Sequence, residues 1–121
     1  PSPLLQLAAT RGKLMELLSV GLAPSDKSFS DKAFMAGIIS LLDALLGKPL
    51  AELTTTLNLP AEVNAALLAR SGRLGDLLIL VETLETSASV TAAVSRVGGL
   101  SAGTVAAAHA EALRWANTLG S

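Results

Sequence analysis

One stretch constrains this chain more than any other: residues 33–50, AFMAGIISLLDALLGKPL. Between Met35 and Leu46 its only polar side chains are Ser40 and Asp43. Leucine, alanine and isoleucine crowd the rest, which predicts a fully buried helix that stops at Gly47 and restarts at Pro49. The run is shorter than the roughly 20 apolar residues a membrane span needs, and Asp43 interrupts it, so it is read as a core helix.

The remainder of the chain obeys the same chemistry. Half of its 121 residues are apolar, yet Phe29, Phe34 and Trp115 are the only aromatics, and leucine, alanine and valine supply the bulk. That composition favours helix over strand, and the expected fold class is all-α, a compact orthogonal bundle of about six or seven helices. Ser2 and Pro3 open the first helix, with Leu4, Leu7, Ala8, Leu14 and Leu18 as its apolar stripe. Gly21 and Pro24 close it. Residues 23–30 read as the most mobile loop. Ser30 then caps the second helix, with Phe29 stapled onto Phe34. A short helix follows Pro49, and Asn58-Leu59-Pro60 breaks the chain before the fourth. Ser71-Gly72 introduces a helix with Leu74, Leu77, Leu78, Val81 and Leu84 along one side. Residues 87–97 suggest a weaker helix that ends at Gly98-Gly99. Ser101 caps the last helix, whose seam is Val105, Ala108, Ala112, Trp115 and Leu119. The whole, residues 1–121, is expected to be a single helical domain.

Several function classes are disfavoured by what the chain carries. Its net charge is −1 and its basic residues are scattered, so no stripe matches a phosphate backbone and few rings exist for bases to stack on. Nucleic acid and membrane are not expected partners. The lack of cysteine fits a reducing, cytoplasmic setting. The N-terminus, PSPLLQL, has neither an initiating methionine nor a signal pattern, and the sequence is expected to be a piece of a longer protein. A single histidine, His109, and singly distributed acids offer no convergent ligand set, so neither a metal nor another cofactor is expected. No nucleophile elbow or phosphate loop occurs, and no catalytic residue is assigned.

Four residues remain as candidates for interaction. Ser40 and Asp43 fall on one helical stripe with Lys32, Ala36 and Gly47, where a neighbouring segment could approach closely. Ser40 could also bond back to the carbonyl of Ala36. Arg114 and Trp115 pair the residue types enriched at binding hot spots, although Trp115 lies on the apolar seam and so fits a core role better.

Read together, LLQLAATRGKLMELL (residues 4–18), AFMAGIISLLDALLGKPLAEL (33–53), LPAEVNAALLARSGRLGDLL (59–78) and EALRWA (111–116) resemble the C-terminal part of an HDOD domain. These are helical relatives of the HD phosphohydrolases, and the similarity is to those attached to EAL domains in bacterial cyclic di-GMP signalling proteins. The resemblance implies an HD-domain-like bundle that lacks hydrolase activity. The His-Asp metal pair of the HD enzymes would fall on Ser40 and Leu41, which cannot bind a divalent ion in that way. The chain is shorter than a whole HDOD domain, which implies that N-terminal helices lie outside it, and it contains no EAL motif. The expected function is a non-catalytic regulatory or protein-interaction module in cyclic di-GMP or two-component signalling. Its expected partner is a protein or an attached EAL-type domain, with self-association through uncovered apolar surface. The alternatives are a degenerate metal-dependent HD phosphohydrolase and a small-molecule sensor with an apolar pocket.

Overall fold

A computed structural model describes residues 2–86, 94 and 97–119. All regular elements among them are helices: α1 (Pro3–Leu22), α2 (Lys27–Ile39), α3 (Leu42–Leu46), α4 (Leu50–Leu57), α5 (Ala61–Ala69), α6 (Gly72–Glu85) and α7 (Ala102–Leu119). The all-α class expected from composition is therefore present. The helix expected over residues 87–97 lies almost wholly outside the described residues.

α1 is the spine against which α2, α6 and α7 pack. Ser2 Oγ accepts from the Leu4 amide at 3.2 Å and Pro3 fills the first turn, so the N-terminus forms where the sequence marks it. Its crossing with α2 depends on two glycines. A Cβ on Gly37 would stand 2.6 Å from the Gly12 Cα and 2.8 Å from the Arg11 carbonyl oxygen, backbone that cannot move aside. The two backbones meet because neither residue carries a side chain there. Around that crossing Leu14, Met15, Leu18, Phe29, Ala33 and Ala36 interlock with Val63, Leu74, Leu77, Leu78 and Val81.

Two of the expected helix ends hold for the expected reason. Gly47 stops α3 with φ 67° and Asn58 stops α4 with φ 52°, left-handed conformations that these residues adopt at low cost. Other expectations need correction. Asp26, not Ser30, caps α2: its carboxylate accepts from the Phe29 amide at 3.0 Å. Ser30 lies in the first turn and donates back to the Lys27 carbonyl. The helix thus takes over half of the segment read as a loop. Phe29 is buried in the core, and Phe34 packs edge-on against Trp115 instead of stapling onto Phe29.

The larger correction concerns residues 33–46. They do not form one buried helix. α2 ends at Ile39, Leu41 takes φ −112° and ψ 0°, and α3 begins again at Leu42 with none of its residues fully buried. The apolar content of α3 is spent on a partly open surface, so hydrophobicity alone overstated its burial.

Candidate functional site

Arg11 is the side chain the sequence concealed. It lies midway along α1 with only 6% of its surface exposed, at the glycine crossing with α2. Its Nη1 donates to Ser40 Oγ at 2.9 Å, and its Nε donates to Glu85 Oε2 at 2.9 Å. Nη2 completes a forked pair with Glu85 Oε1. Glu82, one turn before Glu85 on α6, stands 3.8 Å from Nη1 and is itself held in a fork by Arg70, with both bonds at 2.9 Å. Arg70 in turn donates to the Leu67 carbonyl at 2.6 Å and so closes the C-terminal end of α5. Two guanidinium groups and two carboxylates thereby join α1, α2, α5 and α6, each charge desolvated only where an opposite charge and matching donors meet it.

Ser40 is therefore placed inside a polar network and not on a binding surface. Its hydroxyl accepts from Arg11 and donates to the Gly37 carbonyl at 2.7 Å, one residue later than the Ala36 carbonyl the sequence suggested. A hydroxyl committed in this way has no base beside it and is not an activated nucleophile. Asp43 is half-buried at the start of α3, where Oδ1 accepts from the Ala44 amide at 2.8 Å. Because the helix breaks between them, Ser40 and Asp43 do not share the straight stripe read from the sequence.

Arg114 is exposed on α7. Trp115 is half-buried, with its ring 6.1 Å from that of Phe34 at an interplanar angle of 83° and the Lys13 ammonium 5.3 Å from its centroid. Trp115 thus docks α7 onto α1 and α2, while Arg114 and Ser40 play no common part with it. His109 is half-buried on α7. Among the described residues no group of three or more histidine, cysteine or acidic side chains converges as a metal site.

A second feature is concave and apolar. A hollow of about 330 Å³ opens between the first turns of α1, the end of α2, α3 and the end of α7, with Leu5, Ala8, Ile38, Leu42, Leu45 and Leu119 on its walls. Leu5 is 57% exposed and Leu119 59%, so its rim offers apolar surface to solvent. A second hollow of about 460 Å³ on the other side of Ile38 is lined by Phe34, Met35 and Ile39, with Glu16 and Asp31 also on its walls. The sequence carried a signal for only the first of these features. Arg11 falls on the apolar stripe of α1, three residues after Ala8 and three before Leu14, where a charge has to find a buried partner. Leu42 and Leu45 were visible as apolar, but nothing in their spacing indicated that their helix would turn outward.

The chain is 35% identical over 85 residues to CdgJ, a cyclic di-GMP phosphodiesterase of Vibrio cholerae; the match takes in 70% of this chain and 19% of that protein. The chain thus corresponds to about a fifth of the length of that relative. No family model matches the sequence. No solved structure matches it either. No described helix is long and apolar enough to cross a membrane.

Proposed function

We propose that residues 1–121 form a non-catalytic, HDOD-like regulatory domain of a cyclic di-GMP signalling protein, and that the domain acts by binding a partner protein domain. The similarity to a cyclic di-GMP phosphodiesterase supports the pathway. The hollow bounded by Ile38, Leu42, Leu45 and Leu119 carries the binding role, since it combines concave shape with exposed leucines at its rim. The chemistry around Ser40 supports the lack of hydrolysis. A guanidinium already fills the space beside it, and a cation there opposes a bound divalent ion. The expected partner is an EAL-type domain in the same protein.

The test is a titration of the labelled chain with the purified EAL-type domain of its own full-length protein, followed by amide chemical shifts. Shifts gathered around Leu5, Ile38 and Leu42 that vanish in Leu5→Glu are the expected result. Absence of any shift, or hydrolysis of cyclic di-GMP by the chain alone with added manganese, overturns the reading.

A second reading has one observation in its favour. The volume of the hollow, about 330 Å³, lies at the small end of the range for organic ligands, as a sensor of a compact apolar molecule requires. Such a ligand raises the melting temperature in proportion to the logarithm of its concentration once the site is saturated.

A further inference from the structure

The two hollows adjoin, because Ile38 is a wall of both. Along α2 and α3, Phe34, Ile38, Leu42 and Leu45 stand half-buried at helical spacing. From α1, Leu5 and Ala9 border the first hollow and Glu16 the second. Gly12 lies between them, where a Cβ would stand 2.7 Å from Ile38 Cγ1. Ile38 therefore sits against the bare backbone of α1 at the junction.

The walls differ in charge. Those of the first hollow are uncharged, whereas the second adds two carboxylates, Glu16 and Asp31, to Phe34, Met35 and Ile39, and no cation. Lys13 reaches Glu16 Oε2 at 2.9 Å and Lys27 reaches Asp31 Oδ1 at 3.3 Å, both from outside the walls. Among the described residues Glu16 Oε1 and Asp31 Oδ2 accept no hydrogen bond. A carboxylate accepts at both oxygens, so an incoming cation meets acceptors there without displacing either lysine. Backbone chemistry narrows the occupant further. All regular elements among the described residues are helices, so no open strand edge is offered to an extended peptide. An extended segment laid on these apolar walls would lose water from amides and carbonyls that find no partner, whereas a helix arrives with its own satisfied.

We propose that the two hollows together seat one amphipathic helix of a partner protein, its apolar side chains in the first and a lysine or arginine at the second, against Glu16 and Asp31. Such a helix belongs to the partner domain proposed above, and the assignment rests on that reading. Asp31 and Leu45 are 14 residues apart, at most about 21 Å along a helix axis, so the occupant spans roughly four turns. Met35, unbranched and adaptable, fits the wall that the cation's aliphatic stem would cover.

The probe is a synthetic helix-forming peptide of about 14 residues, with leucines alternately three and four apart and two arginines at its C-terminal end, where cations also favour the helix. A companion peptide carries glutamines in place of the arginines. Each is titrated into the isotope-labelled chain while amide shifts are followed. The arginine peptide is expected to move the amides of Asp31, Met35, Ile38 and Leu42 together, and to bind about five-fold more tightly than its companion. Glu16→Gln combined with Asp31→Asn keeps the shape of both side chains. It is expected to remove that advantage and to leave the affinity for the glutamine peptide unchanged. Equal binding of the two peptides by the wild type overturns the proposal, as does an advantage that survives in the double variant, or no shift from either peptide at about 1 mM. Shifts confined to the first hollow overturn it too, while the partner-binding reading stands. Charge-dependent peptide binding beside an EAL-type domain that does not bind supports the helix site and removes that domain as the partner. Octylamine that binds more tightly than the arginine peptide assigns the site to a small cationic amphiphile, and self-association lost in the double variant assigns it to a second copy; either result overturns the helix.

Discussion

Arg11 illustrates how a single side chain can be prominent in the structure and inconspicuous in the sequence. Its register on the apolar stripe of α1 marks it as buried, but the carboxylates that make burial tolerable lie 71 and 74 residues away in Glu82 and Glu85. Long-range pairing of this kind leaves no local spacing to read. It does leave an energetic signature. Glu85→Ala strips the guanidinium of its forked partner while keeping it desolvated, and is expected to cost about 2–3 kcal/mol, somewhat below the usual figure for a broken buried pair because Glu85 is partly exposed. Urea unfolding followed at Trp115 measures the loss. Replacing both partners, Arg11→Met with Glu85→Leu, is expected to recover most of it, since no unpaired charge then remains. Gly37 is the second residue whose role could not be read locally. Gly37→Ala places a Cβ 2.6 Å from the Gly12 Cα, and only separation of α1 from α2 relieves that clash. A net loss of about 2 kcal/mol is expected despite the higher helix propensity of alanine, again from the urea midpoint.

Helix ends show which elements a sequence can delimit. Gly47 and Asn58 were legible because a left-handed residue at a helix terminus is a local requirement that few side chains meet. Ser30 misled because both it and Asp26 are good caps, and the choice depends on tertiary contacts around Asp26. There Arg73, reaching from α6, stands 3.5 Å from Asp26 Oδ2 and lies over the ring of Phe29 at 3.9 Å, so the first turn of α2 is drawn down onto α6. The same Arg73 donates to Glu62 Oε1 on α5 at 2.6 Å, and Lys32 on α2 approaches Glu62 Oε2 at 3.6 Å. Glu62 consequently titrates below its ordinary value of 4.5, chiefly through the Arg73 hydrogen bond, with partial burial acting in the opposite sense. A carboxyl group with a depressed folded-state pKa adds stability that is present above 4.5 and is lost as pH falls through the lower, folded value. The stability gap between the wild type and Glu62→Gln is therefore expected to be open at neutral pH and to narrow at acid pH below 4.5, as urea titrations at a series of pH values would record. A gap that widens on acidification contradicts this linkage.

At the scale of the whole molecule, composition fixed the helical class but not the distribution of its leucines. Leu14, Leu18, Leu74, Leu77, Leu78 and Leu80 are buried, whereas Leu5, Leu46, Leu68 and Leu119 are more than half exposed. Helical periodicity separates one side of a helix from the other, but it does not tell which sides find a neighbour. α1 illustrates the difference: its middle and C-terminal turns bury Leu14, Met15 and Leu18 completely, while its first turn leaves Leu5 at the rim of the hollow. Leu119 lies on the same rim from α7, so the two exposures form one patch and are not independent accidents. A concave apolar patch with exposed leucines at its rim favours association with whatever apolar surface is available, a second copy of the chain included. The isolated chain is accordingly expected to show a concentration-dependent rise in mass by sedimentation velocity. Leu5→Glu and Leu119→Glu, which substitute exposed positions and leave the core intact, are each expected to shift that rise to at least about ten-fold higher concentration, the effect of roughly 1.4 kcal/mol of lost apolar contact. Leu68→Glu makes a comparable exposed change on α5, outside the walls of the hollow, and is expected to leave the association unchanged. If Leu68→Glu disrupts self-association as strongly as Leu5→Glu does, the attraction is spread over the surface and the hollow has no special part in it.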